Sequence, residues 1–516
     1  MGRMPTHLAT AALVDLRTLV RWSTLCALTG ALAGLAAAVL VVAVDVLQAA
    51  TLHDLLGLKL HERPFLAAPT GPPAPIWLLP LVPAAGGLAV ALLARLCGPE
   101  VYGGGTDYIL TAYHRRAGRI HWAVPIGKWM ASAITLGTGG SAGREGPMTL
   151  VGGGIGSSLA TFLRIGDRER RLLLLAGAGA GVGAVFRIPL GSAIFAIELL
   201  YRDGFEEEGI FPCLIASVSG YAVFIAFHGV GQLFALPPLP PLQLTALPFY
   251  ALVGVACAPF AYLFTNTLRW APQWLTRARV VRWLQPCVGG LLVGLLGILN
   301  PELLGIGYGW VQTVLTPVGD TTPSIGLAGV LILFALGKIV ATSITVGSGG
   351  SGGTFAPSIV AGGFVGGAVG QVVRNFFPWA AVEPATYALV GMGAFLGGIA
   401  HVPLAAVIIV CELAGNYELL VPLMAAVGMS YLLLRRTTLY PQQVRNPAAS
   451  PARAGGIAAD ALDTLMVADI EPLRPAPAPV PAERGGNRTA ANWGCRWRSS
   501  ATAIIALQTL RAPQAL

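Results

Sequence analysis

Two stretches of this sequence repeat one pattern of lysine, glycines and proline, and that pattern suits the binding of an anion by exposed backbone. Residues 127–147 read GKWMASAITLGTGGSAGREGP, and residues 337–357 read GKIVATSITVGSGGSGGTFAP. Aligned without a gap, 210 residues apart, they are identical at 11 of 21 positions. Each glycine run leads to a proline, Pro147 or Pro357. Glycine frees the backbone, and proline sits well in the first turn of a helix. The pattern predicts two helix N-termini that end inside the protein, their free N–H groups and positive dipole ends aimed at one region. Each terminus contributes about 0.5–2 kcal/mol toward an anion, so several must converge to replace its water.

One copy carries an acid, Glu145, where the other has Phe355. A carboxylate is favoured at a helix N-terminus, yet the duplication did not require one. It competes with a bound anion for the same N–H groups, and protonation releases it. One group can therefore serve as gate and as proton carrier. A nucleotide-binding loop needs Gly-Lys-Ser/Thr after its glycines; here they run into Arg-Glu-Gly-Pro and Thr-Phe-Ala-Pro. The chain has three lysines, Lys59, Lys128 and Lys338, and the last two hold the same place in the repeat. A charge within a membrane helix costs about 2.5–3.5 kcal/mol or more. Lys128 and Lys338 are therefore expected to play a structural or electrostatic role near the anion path.

The elements that position these residues are membrane helices. Of 516 residues only 11% are charged and 55% are apolar, against about 25% charged in ordinary soluble proteins. The mean hydropathy is +0.69. A set of soluble domains is excluded, because too few polar groups exist to cover them. The 66 glycines suit close helix contacts. Apolar runs recur from about residue 22 to 434, several long enough to span a ~30 Å hydrocarbon core. Others, near 137–157 and 347–370, are broken by Gly and Pro and must face protein or a wet cavity.

A second matched pair follows the first. PLGSAIFAIEL at 189–199 and PLAAVIIVCEL at 403–413 each place a glutamate nine residues after a proline, as Pro189/Glu198 and Pro403/Glu412. Two pairs in the same order indicate duplicated halves, 22–230 and 247–434, joined by 231–246. Residues 1–21 form a short leading segment, and 435–516 an Arg/Pro-rich tail. Arg17 and Arg21 before the first run, and Arg435 and Arg436 after the last, place both termini in the cytoplasm. The net charge of +9 follows from such flanking arginines and calls for no nucleic acid. The seven cysteines are scattered without a C-x-x-C, and the histidines form no ligand pattern. No metal site or cofactor is expected.

GREGP at 143–147 with Lys128 before it, and G-x-F-x-P at 353–357, resemble the CLC family of chloride channels and chloride/proton antiporters. The Pro…Glu pairs and Thr438-Leu439-Tyr440 extend the resemblance over about residues 20–445. It implies an all-α polytopic membrane protein, with two inverted-topology repeats of tilted and broken helices. It also implies a parallel homodimer with one pore per subunit. By the resemblance Glu145 is the external gating glutamate. Arg144 and Gly146 line the external anion site with backbone N–H groups, and Thr354, Phe355 and Ala356 offer theirs to the bound anion. The Tyr440 hydroxyl closes the central anion site from the cytoplasm. Glu198 and Glu412 resemble buried family glutamates and are read as structural, as are Pro147 and Pro357.

Three departures stand out. The family's G-S-G-I-P is here Gly103-Gly104-Gly105-Thr106-Asp107. Gly104 replaces the serine whose hydroxyl meets the central anion, so backbone at Gly104 and Gly105, or water, must serve. Many antiporters have a second acid after Glu198, where this chain has Leu199; Asp203 or Glu206 could substitute, although both read as solvated loop charges. Residues 457–472 resemble only the opening of a CBS module. By the resemblance, Pro147 after Glu145 is typical of chloride-type members, whereas fluoride-exporting members usually differ there. The expectation is chloride transport in the lipid bilayer of a bacterial inner membrane, with chloride exchanged for protons through Glu145. The alternatives are a passive Glu145-gated channel of the same fold and, remotely, an intramembrane enzyme.

Overall fold

The computed structural model describes residues 6–58, 76–234, 236, 244–316, 325–380 and 383–453. Lys59, Cys495, the module-like stretch 457–472, the Pro-rich 471–487 and a glycosylation sequon at Asn487 lie outside them. Residues up to Pro447 form one compact unit, and Ala448 opens a second, of which only short turns to Arg453 are described.

Sixteen α-helices lie among the described residues, in two sets of eight. The first set is α1 (Thr6–Gln48), α2 (Leu81–Cys97), α3 (Thr106–Arg115), α4 (Ala123–Gly137), α5 (Glu145–Phe162), α6 (Asp167–Phe186), α7 (Pro189–Glu198) and α8 (Ile210–His228). The second is α9 (Leu247–Arg277), α10 (Gln285–Leu299), α11 (Tyr308–Leu315), α12 (Ile325–Gly347), α13 (Phe355–Phe376), α14 (Pro384–Ala400), α15 (Pro403–Ala414) and α16 (Leu420–Leu434). Helix for helix, the second set repeats the first.

Eight segments, on α1, α2, α8, α9, α10, α12, α13 and α16, are long and apolar enough to cross a membrane. The short helices α3, α7, α11 and α15 have 8 to 12 residues. At 1.5 Å per residue they reach only about 12–18 Å, so they end within the protein. On the outside, Leu35, Val39, Val42 and Val46 of α1 are exposed at helical spacing, as a lipid-facing stripe requires. Every residue of α14 is buried.

Glycine sets how closely the inner helices approach. A Cβ on Gly152 of α5 would lie 2.1 Å from the carbonyl oxygen of Gly177 on α6, and one on Gly177 would lie 2.1 Å from that of Gly152. The same crossing joins α13 and α14 at Gly362 and Gly391, at 2.4 and 2.2 Å. Only hydrogen fits between such backbones. The chain leaves α6 and α14 through a left-handed residue, Arg187 (φ 61°) and His401 (φ 56°). Two residues on, Pro189 and Pro403 open α7 and α15 at the position proline prefers.

Candidate anion site

The two glycine-rich loops meet at the middle of the unit. Gly143 donates to the carbonyl of Gly353 at 2.8 Å, and Gly353 donates back to Gly143 at 2.7 Å. These two residues hold the same place in the repeat, so the bonds mark the axis that relates the halves. Ser132 bonds Ser351 at 2.9 Å, and its counterpart pair, Ser141 and Thr342, bond at 3.1 Å. The N–H of Ser141 donates to Thr345 Oγ1 at 3.1 Å, and that of Ser351 to Thr135 Oγ1 at 3.0 Å. Irregular backbone inside a membrane protein must be satisfied by protein, and here each loop satisfies the other.

Out of these loops start α5, at Glu145, and α13, at Phe355. Both first residues are buried, at 2% and 1% exposure. Pro147 and Pro357 are third in their helices, still within the first turn, where no intrahelical donor is lost. Glu145 turns across the axis: its Oε1 accepts from the N–H of Ala356 at 3.0 Å. The carboxylate also faces the N–H groups of Phe355 and of Glu145 itself. Its Oε2 is buried with no hydrogen-bond partner among the described residues. The acid of one repeat thus occupies the helix N-terminus of the other. A Cβ on Gly143 would fall 2.0 Å from Oε2, and one on Gly353 2.3 Å from Oε1, so both glycines make room for the carboxylate. Phe355, in the equivalent place, packs instead on Phe186 and Phe195, ring centroids 5.1 and 5.3 Å away.

Lys128 and Lys338 are almost fully buried. Lys128 Nζ donates to the carbonyls of Val101 (3.1 Å) and Gly103. Lys338 Nζ donates to those of Leu303 (3.4 Å) and Gly305 (2.6 Å). These acceptors reveal a third matched pair, Gly98–Asp107 and Asn300–Gly309, which the sequence reading missed. The signal was Pro-Glu followed by G-x-G at one spacing, Pro99-Glu100…Gly103-x-Gly105 and Pro301-Glu302…Gly305-x-Gly307, with little else conserved between the copies. Gly105 (φ 88°) and Gly307 (φ 92°) then turn the chain into α3 and α11. Gly104 stands in open space: a Cβ there would meet only the Gly352 carbonyl oxygen, at 3.9 Å.

Tyr440 reaches the site from the segment after α16. It is buried, and its hydroxyl hydrogen-bonds with the side chains of Thr106 and Thr354. The segment is pinned on several sides. Leu439 N–H donates to Ile399 O at 2.8 Å, and Gln443 Nε2 donates to Leu199 O and Ala400 O at 2.9 and 2.8 Å. Gln442 N–H donates to Asp107 Oδ1 at 3.2 Å. Arg144, the residue before α5, directs its guanidinium at Asp45 of α1, 3.5 Å away. Gly146 packs close to the backbone of Gly104 and Gly353. Glu145, Gly146, Gly104, Gly105, Thr354, Phe355, Ala356 and Tyr440 therefore come together, while the Arg144 side chain turns to α1.

The other glutamates lie elsewhere. Glu198, at the end of α7, accepts from Leu404 N–H (3.1 Å) and Ala405 N–H (2.8 Å) at the start of α15. Glu412, in α15, accepts from Leu190 N–H (3.1 Å) and Gly191 N–H (2.7 Å) at the start of α7. Each caps the helix that the other repeat begins. The expectation that Glu206 is a solvated loop charge is corrected. It is 2% exposed, and its Oε2 accepts from the hydroxyls of Tyr113 and Tyr201, each at 2.7 Å, because its loop folds back on α7 through Glu206 N–H to Ile197 O at 3.1 Å. Asp203 is only partly covered, against Arg445 at 3.5 Å and Tyr431 at 3.3 Å. Among the described residues no group of three His, Cys, Asp or Glu could hold a metal ion.

An all-helical chain of duplicated, broken helices, with an anion-type site where their N-termini meet, defines a membrane transport protein. A family model described as voltage gated chloride channel matches residues 86–435, and the chain belongs to that family, the CLC proteins. It is 30% identical over 357 residues to the H(+)/Cl(−) exchange transporter ClcA of Vibrio cholerae, covering 68% of this chain and 75% of that one. It is 32% identical over 323 residues to the chloride channel protein CLC-f of Arabidopsis thaliana, covering 59% of this chain and 41% of that one. Among solved structures it resembles a slow cyanobacterial Cl−/H+ antiporter (TM-score 0.70, 23% identity, 81% of this chain and 94% of that one). A CLC-type fluoride/proton antiporter is similar as well (TM-score 0.67, 20% identity, 83% and 98%). At these identities the structures speak to the fold.

Proposed function

We propose that this chain carries chloride across a membrane in exchange for protons, with Glu145 as gate and proton acceptor. The observation that carries the reading is the bond from Ala356 N–H to Glu145 Oε1. A helix N-terminus is a ready anion site, and a carboxylate fills it here. Chloride and the carboxylate compete for the same N–H groups, so chloride enters when Glu145 leaves. Protonation removes the charge that holds Glu145 in place, which ties chloride passage to proton uptake. Thr354, Phe355, Ala356, Gly104 and Gly105 supply backbone to the anion. The Tyr440 hydroxyl closes the site on the side of the segment after α16. Lys128 and Lys338 add positive charge behind the loops that open α3 and α11. The exchange named for the Vibrio cholerae relative supports the coupling.

The reading brings with it a homodimer in a bacterial inner membrane, with both termini cytoplasmic. Arg435 and Arg436, directly after α16, support that side for the C-terminal segment. A passive Glu145-gated channel is the second reading, favoured by Leu199. That side chain is apolar and buried, and it cannot carry a proton.

Purified protein in liposomes separates the two. In an exchanger a chloride gradient drives protons uphill, and Glu145→Gln stops the protons while chloride still flows. Chloride flux in the wild type without proton flux selects the channel. Unchanged fluxes and unchanged pH dependence in Glu145→Gln remove Glu145 from the gate.

A further inference from the structure

We propose that Thr106 and Asp107, the first two residues of α3, are positioning residues: they clasp the turn that carries Tyr440 and set how often the anion site opens on that side. This deepens the reading above. It rests on the chloride path alone and holds for an exchanger and for a channel.

The turn is built as a unit. Tyr440 N–H donates to Thr438 Oγ1 at 3.1 Å, and Thr438 Oγ1 donates to Gln443 Oε1 at 2.7 Å. Gln443 N–H donates to Tyr440 O at 3.1 Å. A threonine hydroxyl donates once and still accepts, so these bonds coexist. A turn closed on itself in this way moves as one piece, and its outside anchors fix where the Tyr440 hydroxyl lies. Leu439 and Gln443 are tied to carbonyls of Ile399, Leu199 and Ala400, at the ends of α14 and α7. Thr106 and Asp107 are anchors of another kind, because their helix begins at the anion site. A Cβ on Gly105, the residue before Thr106, would lie 3.1 Å from both Gly146 O and Lys128 Cε.

The first turn of α3 grips at two points. The Thr106 side chain bonds the Tyr440 hydroxyl, and Asp107 Oδ1 accepts from Gln442 N–H at 3.2 Å. Successive residues of one helix thus hold the ring end of the tyrosine and the main chain beyond it. On the other flank, Arg269 of α9 donates from Nη2 to Thr438 O at 2.8 Å, and its charge also acts on Asp107. Two residues to either side of Tyr440, the turn is held by a carboxylate and by a guanidinium. Hydrogen bonds to charged groups are about twice as strong as neutral ones.

The duplication did not require this clasp. After Gly307, the counterpart of Gly105, α11 opens with Tyr308 and Gly309. Tyr308 packs its ring on Phe186 and Phe234, with centroids 6.2 and 5.7 Å away, and Gly309 has no side chain. A carboxylate in the first turn of a helix suits the dipole by itself. That role needs no partner on another segment, yet Asp107 meets a main-chain N–H 335 residues along the chain. Tyr440 leaves the site only when its hydroxyl parts from Thr106 and its turn parts from Asp107. Loosening either opens the site more often toward the face that carries Arg435 and Arg436. Chloride then passes faster and is less tightly tied to protons.

The test uses the full chain in phosphatidylethanolamine–phosphatidylglycerol vesicles, with chloride and proton fluxes recorded together. Asp107→Ala is expected to raise chloride flux about tenfold, the scale of one hydrogen bond to a charged group, and to lower the protons moved per chloride. Asp107→Asn keeps an oxygen for Gln442 N–H and is expected to restore most of the wild-type flux and ratio. Thr106→Val keeps the shape without the hydroxyl and should shift both in the direction of Asp107→Ala; Thr106→Ser should reverse the shift. In a Tyr440→Ala background, Asp107→Ala should add less than about twofold. Equal effects of Asp107→Ala with and without Tyr440 overturn the proposal. So does an Asp107→Asn protein that keeps chloride flux but stops protons, since the carboxylate would then carry them. If Asp107→Ala does not fold, Thr106→Val decides, and fluxes equal to wild type overturn the clasp. A wild type that moves chloride without protons rejects exchange alone, and the chloride rates still read the clasp.

Discussion

Gly143 and Gly353 exchange backbone hydrogen bonds across the axis between the halves, and the Glu145 carboxylate rests against both. The contact with Gly143 is the cleaner one, because the three atoms nearest a Cβ there all belong to the carboxylate, at 2.0 to 2.5 Å. Gly143→Ala is therefore expected to dislodge Glu145, raising chloride flux near neutral pH and flattening its rise on acidification. In a Glu145→Ala background the same change should add little. Flux measured over a double-mutant cycle reads that coupling; equal effects in both backgrounds would place the cause elsewhere.

Gly104 offers room for a side chain. Gly104→Ser is expected to fold normally, since the nearest atom to its Cβ is 3.9 Å away. It would place a hydroxyl beside the path. One added hydrogen bond is worth about 0.5–1.5 kcal/mol net, or roughly 2- to 13-fold in chloride affinity. Calorimetric titration with chloride checks this, and an unchanged affinity with an intact fold would put the anion away from Gly104.

Lys128 and Lys338 can be told apart by substitution. Each ammonium holds two main-chain carbonyls. Lys128→Met and Lys338→Met should each lower stability by about 1–3 kcal/mol for the acceptors left bare. Lys128→Met should also weaken chloride binding, because its stem lies against Gly105 at the site. Thermal unfolding in detergent and chloride titration give the two readings; a purely structural lysine would move only the first.

Tyr440→Phe removes the hydroxyl shared with Thr106 and Thr354 but keeps the ring. The expected loss is about 1 kcal/mol of stability, with faster chloride exchange and fewer protons moved per chloride. A flux ratio equal to wild type would show that the hydroxyl does not hold the inner gate.

Much of this arrangement was legible in the sequence because the duplication is still visible. The glycine runs before Pro147 and Pro357 announced buried helix starts, and the mismatch of Glu145 with Phe355 singled out the acid. The lysine partners were not legible. Their acceptors are carbonyls of the loops before α3 and α11, and main-chain atoms leave little trace in side-chain identity. Glu206 was misread for a related reason. It sits among Asp203, Glu207 and Glu208, as a surface charge would, and only the fold-back onto Ile197 buries it. Arg144 showed the converse, a residue in the motif whose side chain turns to Asp45 on another helix.

The crossed caps of Glu198 and Glu412 bear on how such a chain can be divided. A cut in 231–246 would leave each fragment with a helix whose amino end lacks the carboxylate that caps it, because that carboxylate belongs to the other fragment. Co-expressed, the fragments should find each other, because each holds the carboxylate that caps a helix of the other.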